Sequence, residues 1–434
     1  MTLAPFMAII LSVAMNTVSK HPTVALDFLG CKLNQAEIQE LAVKLEAAGY
    51  AIVGADEKTD IYVLNTCSVT LTADSKSRHL LRQARRRNPA ARLIAVGCYA
   101  QRAPKELESI PGVELVLGND KKMDLAKLIG ESSAQAVTPP SSPFPNDKRR
   151  TRSFMRIQQG CRNFCAYCIV PYVRDKESSV AASKVISRIK EPLNAGCQEF
   201  VLTGTEIGAY NSGGVNLEQL LRRILEETKA PRLRISSLQP HQVSPALAGL
   251  WIDKRLCPHF HLSLQSGSDT VLSRMKRKYS TADYLHAVEL IRQIVPDAAI
   301  TTDVIVGFPG ETEAEFKETL AFCRKVKFAR IHVFPFSPRP GTAAASMEKQ
   351  VPDAVKKART DTMLALAKEA AGEFRQGYIG KALEVLWEQQ SNSVWSGYTP
   401  NYIKVYAKSA DNLANAVRPV KLVKLYRDGV WGEF

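Results

Sequence analysis

At 434 residues the chain is long enough for about three domains of ordinary size. Its 45% hydrophobic and 23% charged residues exclude general disorder and describe a protein with a substantial core. Fifty-eight Lys and Arg against 43 Asp and Glu leave a net charge of +15, which points to a polyanionic partner such as nucleic acid. Residues 132–372 hold 34 basic and 23 acidic side chains, against 16 and 14 before them and 8 and 6 after, so most of the excess sits mid-chain.

Residues 3–15 (LAPFMAIILSVAM) are apolar, but no Lys or Arg precedes them and they are too short to span a bilayer. With Met7 and Met15 as further candidate starts, residues 1–23 read as a disordered extension and no membrane segment is expected. From Val24 the chain alternates short apolar runs with helical patterns. VALDFL (24–29), IYVL (61–64) and LIAV (93–96) read as strands, and QAEIQELAVKLEAAGY and ADSKSRHLLRQARRRN read as helices between them. This βαβα series predicts a parallel α/β sheet domain over 24–131, with helices on both faces. The Pro- and Ser-rich stretch 132–152 reads as a linker.

A second alternating series fills 153–372. Its strands are FMRIQ (154–158), EFVLT (199–203), RLRIS (232–236), FHLSL (260–264), AITTDVIV (299–306) and RIHVF (330–334). Six strand–helix units predict a partial or complete parallel barrel with its active residues at the C-terminal strand ends. A helix around 352–376 follows. Residues 373–434 then change to short strands and glycines (KALEVLWEQ, YIKVYA, PVKLVKLY), which predicts a small all-β barrel.

Nine cysteines in a chain too large to need disulfides suggest reduced thiols in a cytoplasm, free to bind metal. Cys161, Cys165 and Cys168 form a CxxxCxxC directly after the first barrel strand. Three thiolates in a short loop can hold three irons of a [4Fe–4S] cluster and leave the fourth open. Zinc prefers paired CxxC units and a fourth Cys or His nearby, which this stretch lacks. Cys31, Cys67 and Cys98 each fall just beyond a strand of the first domain, and the C-terminal ends of parallel strands share one edge. They are expected to converge on a second cluster, although any one alone would read as a core residue. Cys197 and Cys257 precede their strands and Cys323 lies on an apolar helix face, so these three read as structural.

The other barrel strands end in Gly204-Thr205-Glu206, Ser236-Ser237, Gln265-Ser266-Gly267-Ser268 and Gly307-Phe308-Pro309-Gly310. Hydroxyls, amides and exposed backbone suit a ribose and an adenine, and the Glu206 carboxylate could receive an ammonium group. Each stretch alone is equally turn chemistry. Their shared rim favours a nucleoside-bearing cofactor.

Cys161–Cys168 followed by IVPYVR, HLSLQSGSDTVLSRMKRKY (261–279) and TTDVIVGFPGETEAEF (301–316) resemble the radical adenosylmethionine methylthiotransferases. LGCKLNQAE (29–37), NTCSVTLTADSKSR (65–78) and VGCYAQ (96–101) resemble that family's sulfur-handling domain, and residues 373–434 its TRAM RNA-binding domain. The first two of these motifs look like the type that acts on threonylcarbamoyladenosine in tRNA. The isopentenyladenosine enzymes usually carry a GCQMN-like first motif and the ribosomal-protein enzymes a GCPKN-like one, so those substrates are the alternatives. Three positions depart from the pattern. Glu206 stands where His or Asn is frequent, Gln239 replaces a usual Glu, and Asp175 replaces the Gly expected after Arg174.

The resemblance implies S-adenosyl-L-methionine and two [4Fe–4S] clusters as cofactors, one on Cys161, Cys165 and Cys168 and an auxiliary one on Cys31, Cys67 and Cys98. It implies conversion of threonylcarbamoyladenosine next to the anticodon to its 2-methylthio derivative. An electron donor such as flavodoxin or ferredoxin and a sulfur donor are further implied partners. Gly204, Glu206, Ser236, Gln265 and Gly307 are the candidates for the cofactor pocket, with Tyr167 beside the adenine. For RNA contact the tail offers Lys404, Lys408, Lys421, Lys424 and Arg427, interleaved with Tyr402, Tyr406 and Tyr426. The RRR of 85–87 and the MKRK of 275–278 are further basic candidates.

Overall fold

The computed structural model describes residues 21–130 and 151–434. The expected extension, apart from its last three residues, and the expected linker, apart from its last two, lie outside them. Thr23 and Arg152, assigned to those segments from sequence, instead open strands.

The first unit runs β1 (Thr23–Phe28), α1 (Lys32–Ala47), β2 (Ala51–Val53), β3 (Ile61–Thr66), α2 (Leu71–Arg87), β4 (Arg92–Gly97), α3 (Cys98–Arg102) and β5 (Val113–Leu117). All five strands are parallel, in the order β2-β1-β3-β4-β5. The edge strands β2 and β5 were not expected, because one has three residues and the other carries a charged Glu114 in a five-residue run. Alternation sorts the strand residues to two faces. Leu26, Val63 and Val96 pack under Ile38, Leu41 and Leu45 of α1, while Tyr62, Leu64 and Ala95 pack under Leu81 and Ala84 of α2. The double cover buries both faces and leaves the carboxyl edge as the place where β1, β3 and β4 present their following residues.

The central unit is a partial parallel barrel. Its strands are β6 (Arg152–Arg156), β7 (Glu199–Thr203), β8 (Arg232–Ile235), β9 (Ser237–Leu238), β10 (His259–Leu262), β11 (Ala299–Val306) and β12 (Arg330–Pro335). They pair as β6-β7-β8 and β9-β10-β11-β12, with the break at Ser236 between two consecutive strands. Outward residues such as Phe200, Leu202, Phe260, Leu262 and Ile300 join Ile189, Leu220, Ile291 and Phe316 of the surrounding helices in one large core. The inward face is polar instead, carrying Glu199, Arg234, His259, His261, Asp303 and His332.

A long helix, Asp353–Gln376, leads to β13 (Ala382–Ser391), β14 (Val394–Tyr398), β15 (Lys404–Lys408), β16 (Val417–Tyr426) and β17 (Gly429–Glu433). These close into a barrel in the order β13-β14-β15-β17-β16 around Val385, Trp387, Trp395, Val405, Val420 and Val430. The expected boundary at residue 373 falls inside the last turn of the helix, and β14 and β17 are strands the sequence pattern did not separate.

The two barrels are joined by a buried ionic cluster. Arg234 holds Glu199 through Nε and Nη2 at 2.9 and 3.1 Å, with both side chains inaccessible to water. Arg152 Nε lies 3.1 Å from Glu199 and its Nη2 2.8 Å from Glu388 of β13. Tyr402 inserts beneath them, with its ring 4.2 Å from the Arg234 guanidinium and 4.9 Å from the His259 ring. Burial raises the carboxyl pKa of Glu199, but Arg234 and Arg152 outweigh it and hold the group at about 2. Its stabilising contribution is therefore complete above the ordinary value of 4.5 and lost as pH falls from there towards 2. Glu199→Gln leaves two buried guanidiniums short of a charge and should cost about 3–5 kcal/mol, read as a lowered denaturation midpoint at neutral pH. A midpoint unchanged from the parent would show that the cluster does not hold the barrels together.

Candidate functional site

The three cysteines of the first unit follow from its topology. Cys31 begins the turn into α1, Cys67 follows β3 directly, and Cys98 follows β4 and starts α3. Cys31 is exposed and the other two are buried. Gly30, at φ +100°, makes the approach possible, since a Cβ there would lie 2.7 Å from Cys67 Sγ. Asn34 braces the same edge by donating to the carbonyls of Leu29 and Thr66 at 2.7 and 3.1 Å.

A buried polar network surrounds Cys98. Arg174 Nε donates to its Sγ at 3.3 Å and Asn119 Nδ2 at 3.5 Å. Arg174 also pairs with both oxygens of Glu37, at 2.6 and 2.9 Å, and donates to Asn34 Oδ1 at 3.0 Å. Lys122 Nζ reaches Glu37 Oε2 at 2.5 Å and Asn119 Oδ1 at 2.7 Å. Burial pushes the Glu37 carboxyl up, but Arg174 and Lys122 prevail and keep it ionised far below the usual carboxylate range. Burial, with Arg174 close by, brings the Lys122 ammonium down to about 8. Arg174 belongs to the central barrel, so this network also ties the first two units together.

The second cysteine set lies across that contact. Cys98 packs against Ile169 and Val173, and Ile169 directly follows Cys168. In the CxxxCxxC loop Cys165 is buried while Cys161 and Cys168 are half-buried. Arg277 donates to Cys165 Sγ at 3.2 Å, to the Tyr167 hydroxyl at 3.5 Å and to Gln239 Oε1 at 3.2 Å. Burial pushes the thiols of Cys67 and Cys168 up to about 12, so both stay protonated until a metal displaces the proton. Among the described residues, the His, Cys and carboxylate donors that come within 4.8 Å of one another in a group of three are those of His261, Asp303 and His332. The cysteine trios do not reach that spacing. Sulfurs around one zinc stand about 4 Å apart, closer than the sulfurs of either trio.

The other candidates line the same rim. Gly204 lies against Gln158, where a Cβ would come within 2.8 Å of its carbonyl. Glu206 is held by three amides: Asn163 Nδ2 at 3.0 Å, Gln242 Nε2 at 2.5 Å and Gln239 Nε2. Two of the departures in sequence, Glu206 and Gln239, thus meet in one contact. Asp175 is absent from the positive-φ residues, so that backbone position does not require glycine. The hydroxyls of Ser236 and Thr205 are buried without a partner, as expected of groups that await a polar ligand. Gln265 sits at φ +69° between the backbones of Asp303 and Ile305. Gly307 gives its N–H to Glu311 at 2.6 Å and abuts Lys356.

In the C-terminal barrel Lys408, Lys421, Lys424 and Arg427 are exposed, and Arg427 lies over the rings of Tyr406 and Tyr426 at 5.8 and 5.1 Å. Lys404 is half-buried and paired with Asp428 at 3.1 Å. Tyr402 leaves that face altogether for the base of the central barrel, because its positive φ turns it away from the strand. Arg277, grouped in sequence with a basic surface run, turns inward to Cys165, while Lys276 and Lys278 stay exposed. Cys197, Cys257 and Cys323 are buried, as expected. The sequence reading gave no role to Arg174, Glu37, Asn119 or Lys122. Their signal, polar and charged residues buried or half-buried where neighbours are apolar, is visible only once the partners are known.

Residues 155–323 match the Radical SAM superfamily and residues 23–118 the Uncharacterized protein family UPF0004. The chain is 36% identical over 424 residues to the threonylcarbamoyladenosine tRNA methylthiotransferase MtaB of Bacillus subtilis, covering 93% of this chain and 94% of that protein. It is 37% identical over 420 residues to the protein of the same name from Thermotoga maritima, covering 94% and 96%. The tRNA-2-methylthio-N(6)-dimethylallyladenosine synthase of Syntrophotalea carbinolica is 32% identical over 431 residues, covering 94% and 98%. Among solved structures, the radical S-adenosylmethionine methyltransferase TsrM from Kitasatospora setae, with cobalamin and a [4Fe–4S] cluster bound, matches at a TM-score of 0.56. That match covers 75% of this chain and 77% of the other at 14% identity, a likeness of fold.

The packing at Gly30 sets a checkable limit on the cysteine edge. Gly30→Ala should lower stability by about 1–3 kcal/mol through backbone strain alone, before the clash with Cys67 is added. Gly249, in a helical backbone with open space around it, tolerates the same change and serves as the comparison. Equal melting temperatures for the two variants in calorimetry would show that Gly30 is not needed for the approach.

Proposed function

The chain belongs to the radical S-adenosylmethionine tRNA methylthiotransferases, and we propose that it exchanges the C2 hydrogen of N6-threonylcarbamoyladenosine, next to the anticodon, for a methylthio group. One observation carries the two-centre form of this reading. Cys98 of the first set of three thiols packs against Ile169, the residue that directly follows Cys168 of the second set, so the two sets meet at one domain contact.

Cys161, Cys165 and Cys168 would hold a [4Fe–4S] cluster, whose chemistry when bound would be the reductive cleavage of S-adenosylmethionine to the radical needed to break an unactivated aromatic C–H bond. A second [4Fe–4S] cluster on Cys31, Cys67 and Cys98 would carry the sulfur. The residues around the second set fit that group by charge. Three thiolates and a 2+ core sum to −1, and Arg174, Lys122 and Glu37 sum to +1, so the loaded site is close to neutral where water is scarce. The Arg174 and Asn119 donors on Cys98 Sγ are of the kind that tune such centres.

At the rim, Gly204 lets Gln158 and Ile207 pack against the strand end, and the free hydroxyls of Ser236 and Thr205 would meet the cofactor's polar edge. Glu206, fixed by three amides, is placed to receive the amino group of adenosylmethionine. Arg277 holds Tyr167 and Cys165 together, so ring and thiolate are oriented by one guanidinium. Gln265 and Gly307 support the same rim through backbone geometry. The electron and the sulfur come from outside the chain, from a donor such as flavodoxin or ferredoxin and from a sulfur donor. Among the described residues no helix is long and apolar enough to cross a membrane, which suits an enzyme that meets tRNA in the cytoplasm.

Anaerobic reconstitution separates the two centres. The parent should bind close to eight irons, and replacing Cys31, Cys67 and Cys98 together by Ala should leave about half of them. That variant should still form 5′-deoxyadenosine under strong reductant yet yield no methylthiolated nucleoside. The triple replacement of Cys161, Cys165 and Cys168 should lose both products. Full iron, or normal methylthiolation, in the first variant would remove the second cluster from the scheme.

The exposed cations of the C-terminal barrel are assigned to the tRNA backbone. Lys424→Ala and Arg427→Ala should each weaken tRNA binding and reduce the slope of log K against log salt by about 1. Uncoupled cleavage of adenosylmethionine should be unaffected, since neither residue approaches the cysteines. A salt slope identical to the parent's would place the RNA elsewhere.

A further inference from the structure

The inner face of the central barrel carries more charge than the chemistry above uses. Each acid and each guanidinium there has a direct partner. Glu199 is shared by Arg234 and Arg152, Arg152 also reaches Glu388, and Asp303 lies 3.3 Å from His261 Nε2. Lys32 is the exception. As the first residue of α1 it follows Cys31, and its side chain turns into the barrel with Nζ 6.0 Å from the Tyr402 ring centroid. Among the described residues no hydrogen bond or ion pair engages its ammonium. The guanidiniums of Arg234 and Arg152 lie 4.2 and 5.2 Å from the same ring, so Lys32 shares it with two cations. An unpaired ammonium half-buried among cations is costly unless an anion arrives to meet it.

The wall facing it suits a nucleoside. On β12 the inward residues His332 and Phe334 stand beside Asp303 and Ile305 in register. Phe334 is a large apolar ring left 41% exposed, and His332 makes no hydrogen bond among the described residues. His261 has both ring nitrogens in hydrogen bonds, to Thr301 at 3.0 Å and to Asp303 at 3.3 Å, which fixes its ring against the barrel wall.

We infer that Lys32 binds the carboxylate of the N6-threonylcarbamoyl group and so selects the anionic nucleoside over apolar N6-substituted adenosines. This rests on the nucleoside proposed above. In that nucleoside the outer urea N–H closes a six-membered hydrogen-bonded ring onto purine N1, which lays the threonyl group along the edge that also carries C2. The reacting carbon must face the centre on Cys31, and the carboxylate then falls toward the neighbouring residue in the chain. Lys32 is that residue, and Phe334 offers the ring on which the purine can stack.

The test compares anticodon stem–loop RNAs that carry the free threonyl acid, its methyl ester or an isopentenyl group, by equilibrium binding to the iron-loaded full chain. The parent should prefer the acid to the ester by about 10- to 100-fold, the range for a hydrogen-bonded charge. Lys32→Met should bind acid and ester alike, and Lys32→Arg should keep most of the preference. Iron content equal to the parent's qualifies each variant as intact. The parent's comparison of acid with ester stands even if Lys32→Met does not fold. Equal binding of acid and ester by the parent, or an undiminished preference in Lys32→Met, overturns the role of Lys32. A parent that prefers the isopentenyl RNA to both threonyl RNAs overturns the nucleoside itself.

Discussion

Glu37 is a carboxylate without access to water, and much of the site depends on how its charge is met. It lies on α1 of the first unit, yet its bidentate partner Arg174 comes from the central barrel. Breaking such a pair strands a charge in a low-dielectric interior, at a cost of several kcal/mol. The two domains are therefore held in one relative position by a local electrostatic requirement. That position brings Cys98 against the helix that follows Cys168. The same guanidinium touches the Cys98 sulfur, so the residue that fixes the domain contact also sets the electrostatics of the thiol.

A comparable cluster closes the other end of the barrel. Parallel barrels usually fill their interiors with branched apolar side chains. Here the base is filled by Arg152, Glu199 and Arg234 and sealed by Tyr402 from the C-terminal barrel. The arrangement leaves the middle of the barrel polar and partly open, between a sealed base and a rim lined by cysteines. The strands β6 and β12 end their sheets without pairing with each other, so the barrel does not close, and helix α1 covers the β6 edge, with Gln39 accepting from the Phe154 N–H at 3.1 Å. The exposed cations of the C-terminal barrel lie on the part of the molecule that also supplies the seal.

Glu206 and Gln239 show how two departures from a family pattern can meet in space. Read along the chain, the two positions look like independent losses. In the structure Gln239 donates to Glu206, and Asn163 and Gln242 complete the shell. One carboxylate and its amide donors stand at the rim. Asp175 is a simpler case, because its backbone does not adopt a conformation that glycine alone permits.

Local pattern was enough for the three-domain order, the parallel sheet with two-sided cover, the barrel strands and both cysteine sets. Each rests on periodicity or short spacing, which are properties of neighbouring residues. The short edge strands β2 and β5 and the strands β14 and β17 escaped because their runs are brief or broken by polar residues that only pairing explains. Arg277 read as part of a basic surface run and Tyr402 as an RNA-facing aromatic, and both turn inward. Arg174, Lys122 and Lys32 carried no legible role at all. A charged side chain announces its charge in the sequence, but whether that charge meets an acid, a sulfur or an aromatic ring depends on groups 76 to 370 positions away. Strand-end chemistry is written locally, whereas the compensation of buried charge is decided only when distant segments are packed together, because Coulomb energy in a dry interior depends on distance in space.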